Sequence, residues 1–106
     1  MLVVNRFRVP GDASEDAFRT DLTTAHETLA AQRGYLGGEI GRNLDDPSLW
    51  VLTTRWESVG AYRRALSTYD VKLSAVPTLS RALDEPSAYE VVDPNSVLNV
   101  QQARVT

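Results

Sequence analysis

Four strand-like stretches of this chain, the first alternating strictly in period two, combine with stretches of helical spacing in the order β-α-β-β-α-β. That order constrains the fold more than any other feature, because short connections then close an antiparallel sheet with both helices on one face. The first strand is Leu2 to Val9, with Val3, Asn5, Phe7 and Val9 on one side and Leu2, Val4, Arg6 and Arg8 on the other. Pro10-Gly11 ends it. Asp12 and Ser14 are candidate N-caps, and Glu15 and Asp16 favour the positive end of the first helix. Phe18, Leu22, Ala25 and Leu29 form its stripe, which runs to about Arg33 and stops at Gly34. The second strand, Tyr35 to Asn43, is rich in glycine, and Asp45-Asp46-Pro47-Ser48 turns the chain into the third, Leu49 to Trp56. Ser58 caps a second helix with the stripe Val59, Tyr62, Leu66 and Tyr69 or Leu73, which Pro77 breaks. A short helical turn holds Leu79 and Leu83, Asp84-Glu85-Pro86 ends it, and Ser87 to Val92 is the last strand.

The βαββαβ order is the split βαβ sandwich, an α+β ferredoxin-like fold spanning residues 1–92, with residues 93–106 as a C-terminal tail. In that fold the uncovered sheet face should be polar if it meets water. Here both faces are apolar: Leu49 and Val51 oppose Trp50, Leu52 and Trp56, Leu2 and Val4 oppose Val3 and Phe7, and Tyr89 and Val91 oppose Ala88 and Val92. A second copy of the same sheet is the simplest cover, so a two-fold homodimer through the sheet face is expected. In the tail, Val97, Leu98 and Val100 either pack as an arm on the partner or stay unstructured.

Composition narrows the chemistry. At 106 residues, with 42% hydrophobic and 24% charged, the chain has the size of one soluble domain. It has no cysteine, which excludes disulfides, thiolate metal sites and a cysteine nucleophile. His26 is the single histidine, so a metal site needing two imidazoles is excluded. A net charge of −3 leaves no basic excess for nucleic acid. No apolar run approaches the ~20 residues of a membrane span. The alternating N-terminus does not read as a signal peptide, so the cytoplasm is the expected location.

Candidate chemistry lies on the helix-facing side of the sheet, with Val3, Asn5, Phe7, Trp50, Leu52, Thr54 and Trp56. A mid-strand asparagine on an apolar face needs a partner, because a buried unpaired amide costs about 1–3 kcal/mol. The Trp56 indole N–H is a second donor, and antiparallel first and third strands would bring it towards Asn5. Together they would line a largely apolar pocket with a few convergent polar groups. Packing in an ordinary core is the competing reading. His26, at the edge of its helical stripe, reads as a half-buried surface residue, with proton acceptance as the alternative. The segment Gly37-Gly38-Glu39-Ile40-Gly41 lacks dinucleotide-loop spacing and reads as a bulge or a close backbone approach. Arg55 points to the other face by alternation.

VVNRFRVP in the first strand, RGYLGG opening the second, LWVLTTRWES in the third and the AYRRAL helix after it resemble the antibiotic biosynthesis monooxygenase family of dimeric α+β barrels. The resemblance covers residues 1 to about 92. It implies O2-dependent oxidation of a small aromatic, polyketide-derived or quinol-like substrate without metal or flavin. It also implies that Asn5 and Trp56 are the catalytic pair, stabilising a substrate oxyanion. Phe7, Trp50, Tyr62 and Tyr69 would contact substrate, with ordinary core packing as the alternative for the two tyrosines. The haem-degrading branch needs a histidine in the second helical region, where this chain has Ser74, so haem degradation is disfavoured. A non-catalytic ligand-binding or assembly domain of the same fold is the alternative function, and an isomerase is a third.

Overall fold

The computed structural model describes residues 1–10 and 14–98. Asp12 and Val100 therefore lie outside the described residues. The elements are β1 (Leu2–Arg8), α1 (Ser14–Ala30), β2 (Tyr35–Arg42), β3 (Leu49–Trp56), α2 (Val59–Leu66), α3 (Tyr69–Ser74), α4 (Val76–Leu79) and β4 (Ala88–Tyr89). They build one antiparallel sheet of order β2-β3-β1-β4, the ferredoxin-like α+β topology.

The central ladder pairs β1 with β3 from Leu2 opposite Arg55 to Arg8 opposite Leu49. Period-two alternation then settles the faces. Val3, Phe7, Trp50, Leu52 and Trp56 point towards the helices and are buried there with Phe18, Leu22, Ala25 and Leu29 of α1. Phe18 joins the two strands, with its ring 5.2 Å from that of Phe7 and 5.6 Å from that of Trp50. Burying these chains is what holds sheet and helix together, at roughly 1.5–3 kcal/mol for each large apolar side chain.

Gly34 explains where α1 must stop. Its φ is +91°, and a Cβ there would sit 2.5 Å from Ala61 Cβ, so glycine permits both the left-handed turn and the close approach of α2.

Two elements differ from the sequence expectation. The second helix is not continuous to Pro77. It breaks after Leu66, where Ser67 Oγ donates to the Arg63 carbonyl at 3.1 Å and Thr68 Oγ1 to the Ala65 carbonyl at 2.8 Å. Such hydroxyls compete for the main-chain acceptors at a helix end. Pro77 does not end this helix; it occupies the first turn of α4, where its missing N–H costs nothing. The apolar stripe shifts with the break: Ala61, Ala65, Val71 and Ala75 are buried, while Val59, Tyr69 and Leu73 are exposed.

The last strand is two residues long, not the expected Ser87 to Val92. On one side Pro86 has no N–H to donate. On the other, the β1 ladder ends at the Leu2–Tyr89 pair, which leaves Val91 and Val92 unpaired and exposed. The chain still follows β1 before β4, through Val4 N–H to the Ser87 carbonyl at 2.7 Å and Leu83 N–H to the Arg6 carbonyl at 2.8 Å. Arg6 clamps this segment with two contacts to the Glu85 carboxylate, at 2.9 and 2.6 Å.

Candidate active site

Asn5 lies in the middle of β1 opposite Leu52, half-buried on the helix-facing side. Among the described residues no main-chain group takes up its amide. The group it faces is the hydroxyl of Tyr62, from the first turn of α2. Ser58 sets that helix in place, its Oγ accepting from Ala61 N–H at 3.0 Å. Burial holds the Tyr62 hydroxyl protonated above the ordinary tyrosine range, and the Asn5 amide pulls the other way. An amide that favours the phenolate is acting as a donor towards oxygen.

The strand register does not bring Asn5 and Trp56 into direct contact. Asn5 pairs with Leu52, four residues along β3 from Trp56, a separation of about 13 Å at strand rise. The Trp56 main-chain N–H donates to the Met1 carbonyl at 2.9 Å, which holds this end of β3 against the start of β1. Tyr62 lies between them: its ring is 5.3 Å from that of Trp56, and the Asn5 amide acts on the ionisation of its hydroxyl.

Trp56 is fully buried, and its indole N–H donates to Thr54 Oγ1 at 2.8 Å. Thr54 accepts this bond and keeps its own hydroxyl proton to give. On the far side, Tyr35 meets Trp56 edge-to-face at 5.5 Å, and its hydroxyl lies 2.7 Å from His26 Nε2. The helix-facing side thus carries a connected run of polar and aromatic groups: His26, Tyr35, Trp56 with Thr54, Tyr62 and Asn5.

The other expected residues lie elsewhere. Tyr69 is 76% exposed on α3 and does not face this site, a consequence of the break at Ser67-Thr68. Phe7 and Trp50 are buried against Phe18 at the opposite end of the sheet, where Trp50 Nε1 has no hydrogen-bond partner. A groove of about 310 Å³ lined by Arg6, Gly41, Arg42, Asn43, Leu49, Trp50 and Val51 includes neither Asn5 nor Trp56. Arg55 is exposed on the outer face, yet its guanidinium covers Gly37 and its charge reaches Tyr35.

Sequence reasoning missed Tyr35 and the bond that Thr54 accepts. The available signal for Tyr35 was the glycine pair that follows it. The β2–β3 register shifts between Tyr35 and Gly37, and a Cβ on Gly38 would stand 2.3 Å from the Thr53 carbonyl and 3.0 Å from the Tyr35 hydroxyl. The bulge and bare backbone let the phenol fold back over the strand.

Residues 1–73 match the family model described as antibiotic biosynthesis monooxygenase. No curated protein matches. Among solved structures, the cofactor-independent oxygenase SnoaB from Streptomyces nogalater is similar at 22% identity. The match covers 89% of this chain and 94% of that one, with a TM-score of 0.70. Rv0793 from Mycobacterium tuberculosis is similar at 20% identity, covering 90% and 97%, with a TM-score of 0.67. A conserved protein from Methanosarcina mazei Go1 is similar at 18% identity, covering 82% and 84%, with a TM-score of 0.65. At these identities the likeness is one of fold.

Proposed function

This chain belongs to the antibiotic biosynthesis monooxygenase family, and on that premise we propose that it is a cofactor-independent monooxygenase acting on a small aromatic, polyketide-derived or quinol-like substrate. The observation that carries the proposal is Asn5. Its half-buried amide lies beside Tyr62 on the helix-facing side of the sheet, and among the described residues no main-chain group holds it. The similarity in fold to SnoaB, a cofactor-independent oxygenase, supports the reaction class.

The chemistry asks little of the protein. A phenol or quinol that loses a proton becomes electron-rich enough to reduce O2 directly, so the site must orient the substrate, steady the oxyanion and exclude bulk water. Asn5 and Trp56 are the proposed oxyanion donors, with Tyr62 between them. In the resting protein Thr54 holds the indole N–H. An oxyanion is the stronger acceptor and takes that bond over when substrate ionises.

The functional unit is proposed to be a homodimer through the outer sheet face. Leu2, Val4, Leu49 and Val51 are only half-buried there, and Tyr89 and Val91 are exposed beside them. A second sheet packed on this face removes that apolar surface from water.

An oxygen-electrode screen of anthrones, quinols and dihydroxynaphthalenes tests the function, with Asn5→Ala as the control. Uptake that the variant abolishes supports the enzyme. Binding without uptake for every compound favours the non-catalytic ligand-binding domain instead.

A further inference from the structure

His26 is the one histidine of the chain. It follows buried Ala25 on α1 and is itself half-buried, with its ring tilted 55° to that of Tyr35 at 6.0 Å. The 2.7 Å contact from Nε2 to the Tyr35 hydroxyl is a full hydrogen bond for a hydroxyl donor and joins a proton acceptor to a proton donor. Nothing about packing requires such a pair, since phenylalanine at 35 would meet Trp56 edge-to-face equally well. Gly38 shows that the phenolic oxygen itself is accommodated: a side chain there would press on that oxygen and on the Thr53 carbonyl. Gly38 pairs with Thr54, whose hydroxyl holds the Trp56 indole. The Tyr35 hydroxyl therefore lies between His26 on one side and the strand row carrying Thr54 on the other.

We infer that Tyr35 and His26 form the proton exit of the proposed site, with the Tyr35 hydroxyl taking the proton of a phenolic substrate as it passes its own to His26 Nε2. The inference rests on the proposed ionisation of a phenol-like substrate, which the preceding reading requires and for which Asn5, Trp56 and Tyr62 supply donors but no base. In the step, the substrate O–H breaks and a new O–H forms on Tyr35. The original Tyr35 O–H breaks, and an N–H forms on His26. A neutral phenol and a neutral imidazole become a phenolate and an imidazolium, and no oxidant is consumed. His26 must enter as the tautomer protonated on Nδ1, which leaves Nε2 free to accept. Burial makes Tyr35 a reluctant acid, and the nearby Arg55 charge offsets part of that reluctance. Tyr35 is thus suited to pass a proton on while remaining a phenol.

Two variants test the relay, Tyr35→Phe and His26→Gln; glutamine retains an acceptor for the Tyr35 hydroxyl and so preserves the packing. The probe is a naphthol, whose absorption distinguishes the bound phenol from the bound phenolate. Wild-type protein should bind part of it as naphtholate at neutral pH. Both variants should bind it within about twofold of the wild-type affinity but leave it protonated. Where a quinol supports oxygen uptake, kcat should fall about 100-fold in each variant while KM holds. Equal ionisation of naphthol in wild type and both variants overturns the relay, as does unchanged kcat. Ionisation that needs both residues in a protein that consumes no oxygen keeps the relay and removes the monooxygenase reading. Oxygen uptake lost in Asn5→Ala but untouched in His26→Gln does the reverse.

Discussion

The indole N–H of Trp56 ends on the hydroxyl of Thr54, 2.8 Å away, with both side chains almost completely buried. Two residues apart on one strand share a face, so this bond closes within β3 and holds the indole plane against Tyr35 and Tyr62. A donor with a defined resting partner is a preoriented donor.

Thr54→Val removes the acceptor and keeps the shape. The indole N–H is then buried without a partner, and stability should fall by about 1–3 kcal/mol. Urea unfolding measures it. A change below the error of the measurement would mean that the bond contributes no orientation worth holding.

Asn5→Ala should abolish oxygen uptake with an active quinol or anthrone and leave the oligomer unchanged, because Asn5 faces Tyr62 and not the outer sheet surface. Size-exclusion chromatography and the oxygen electrode read the two halves separately. Turnover at the wild-type rate removes Asn5 from the mechanism.

On the outer face, Val51→Arg places a charge in the middle of the proposed dimer contact without touching the helix-facing core. A desolvated, unpaired charge at an interface is strongly unfavourable, so sedimentation should show dimer for the unaltered chain and monomer for the variant. A persistent dimer would locate the contact elsewhere.

Gly38→Ala should be destabilising by about 1–3 kcal/mol even though alanine is the smallest change available. The added Cβ meets the Thr53 carbonyl, a main-chain atom that cannot swing aside, and presses on the Tyr35 hydroxyl. Thermal unfolding measures the loss, and the Tyr35–His26 contact should loosen with it, visible as a shift of the His26 ring resonances.

Alkaline pH should weaken the fold through Tyr62. Its native ionisation is pushed up by burial, against a small opposing pull from Asn5. Below the ordinary tyrosine value of about 10 both native and unfolded chains carry the proton, and stability is unaffected. As pH rises past it, the unfolded chain loses the proton first, so stability declines until the native group ionises too. Tyr62→Phe should flatten part of that decline in urea midpoints collected across the alkaline range; an identical slope in both proteins would place the titration elsewhere.

Much of this protein could be read before any coordinates. Period-two alternation in Leu2–Arg8 and Leu49–Trp56 and the Phe18, Leu22, Ala25, Leu29 spacing are properties of consecutive residues, so the sheet, its two faces and the buried side of α1 followed from the chain alone. The same alternation put Asn5 on the helix-facing side. What the residues could not reveal depends on distance between elements. The register decided that Asn5 stands opposite Leu52 and not Trp56, because a two-residue shift along β3 leaves every face assignment unchanged while moving each partner by about 7 Å. The hydroxyls of Ser67 and Thr68 decided where the second helix breaks, and with it that Tyr69 turns to solvent. The pairing of Tyr35 with His26 needed both a bulge in β2 and the packing of α1 across it, two events nine residues apart that no local pattern couples. Periodicity encodes which way a side chain points; only the packed chain decides what it meets.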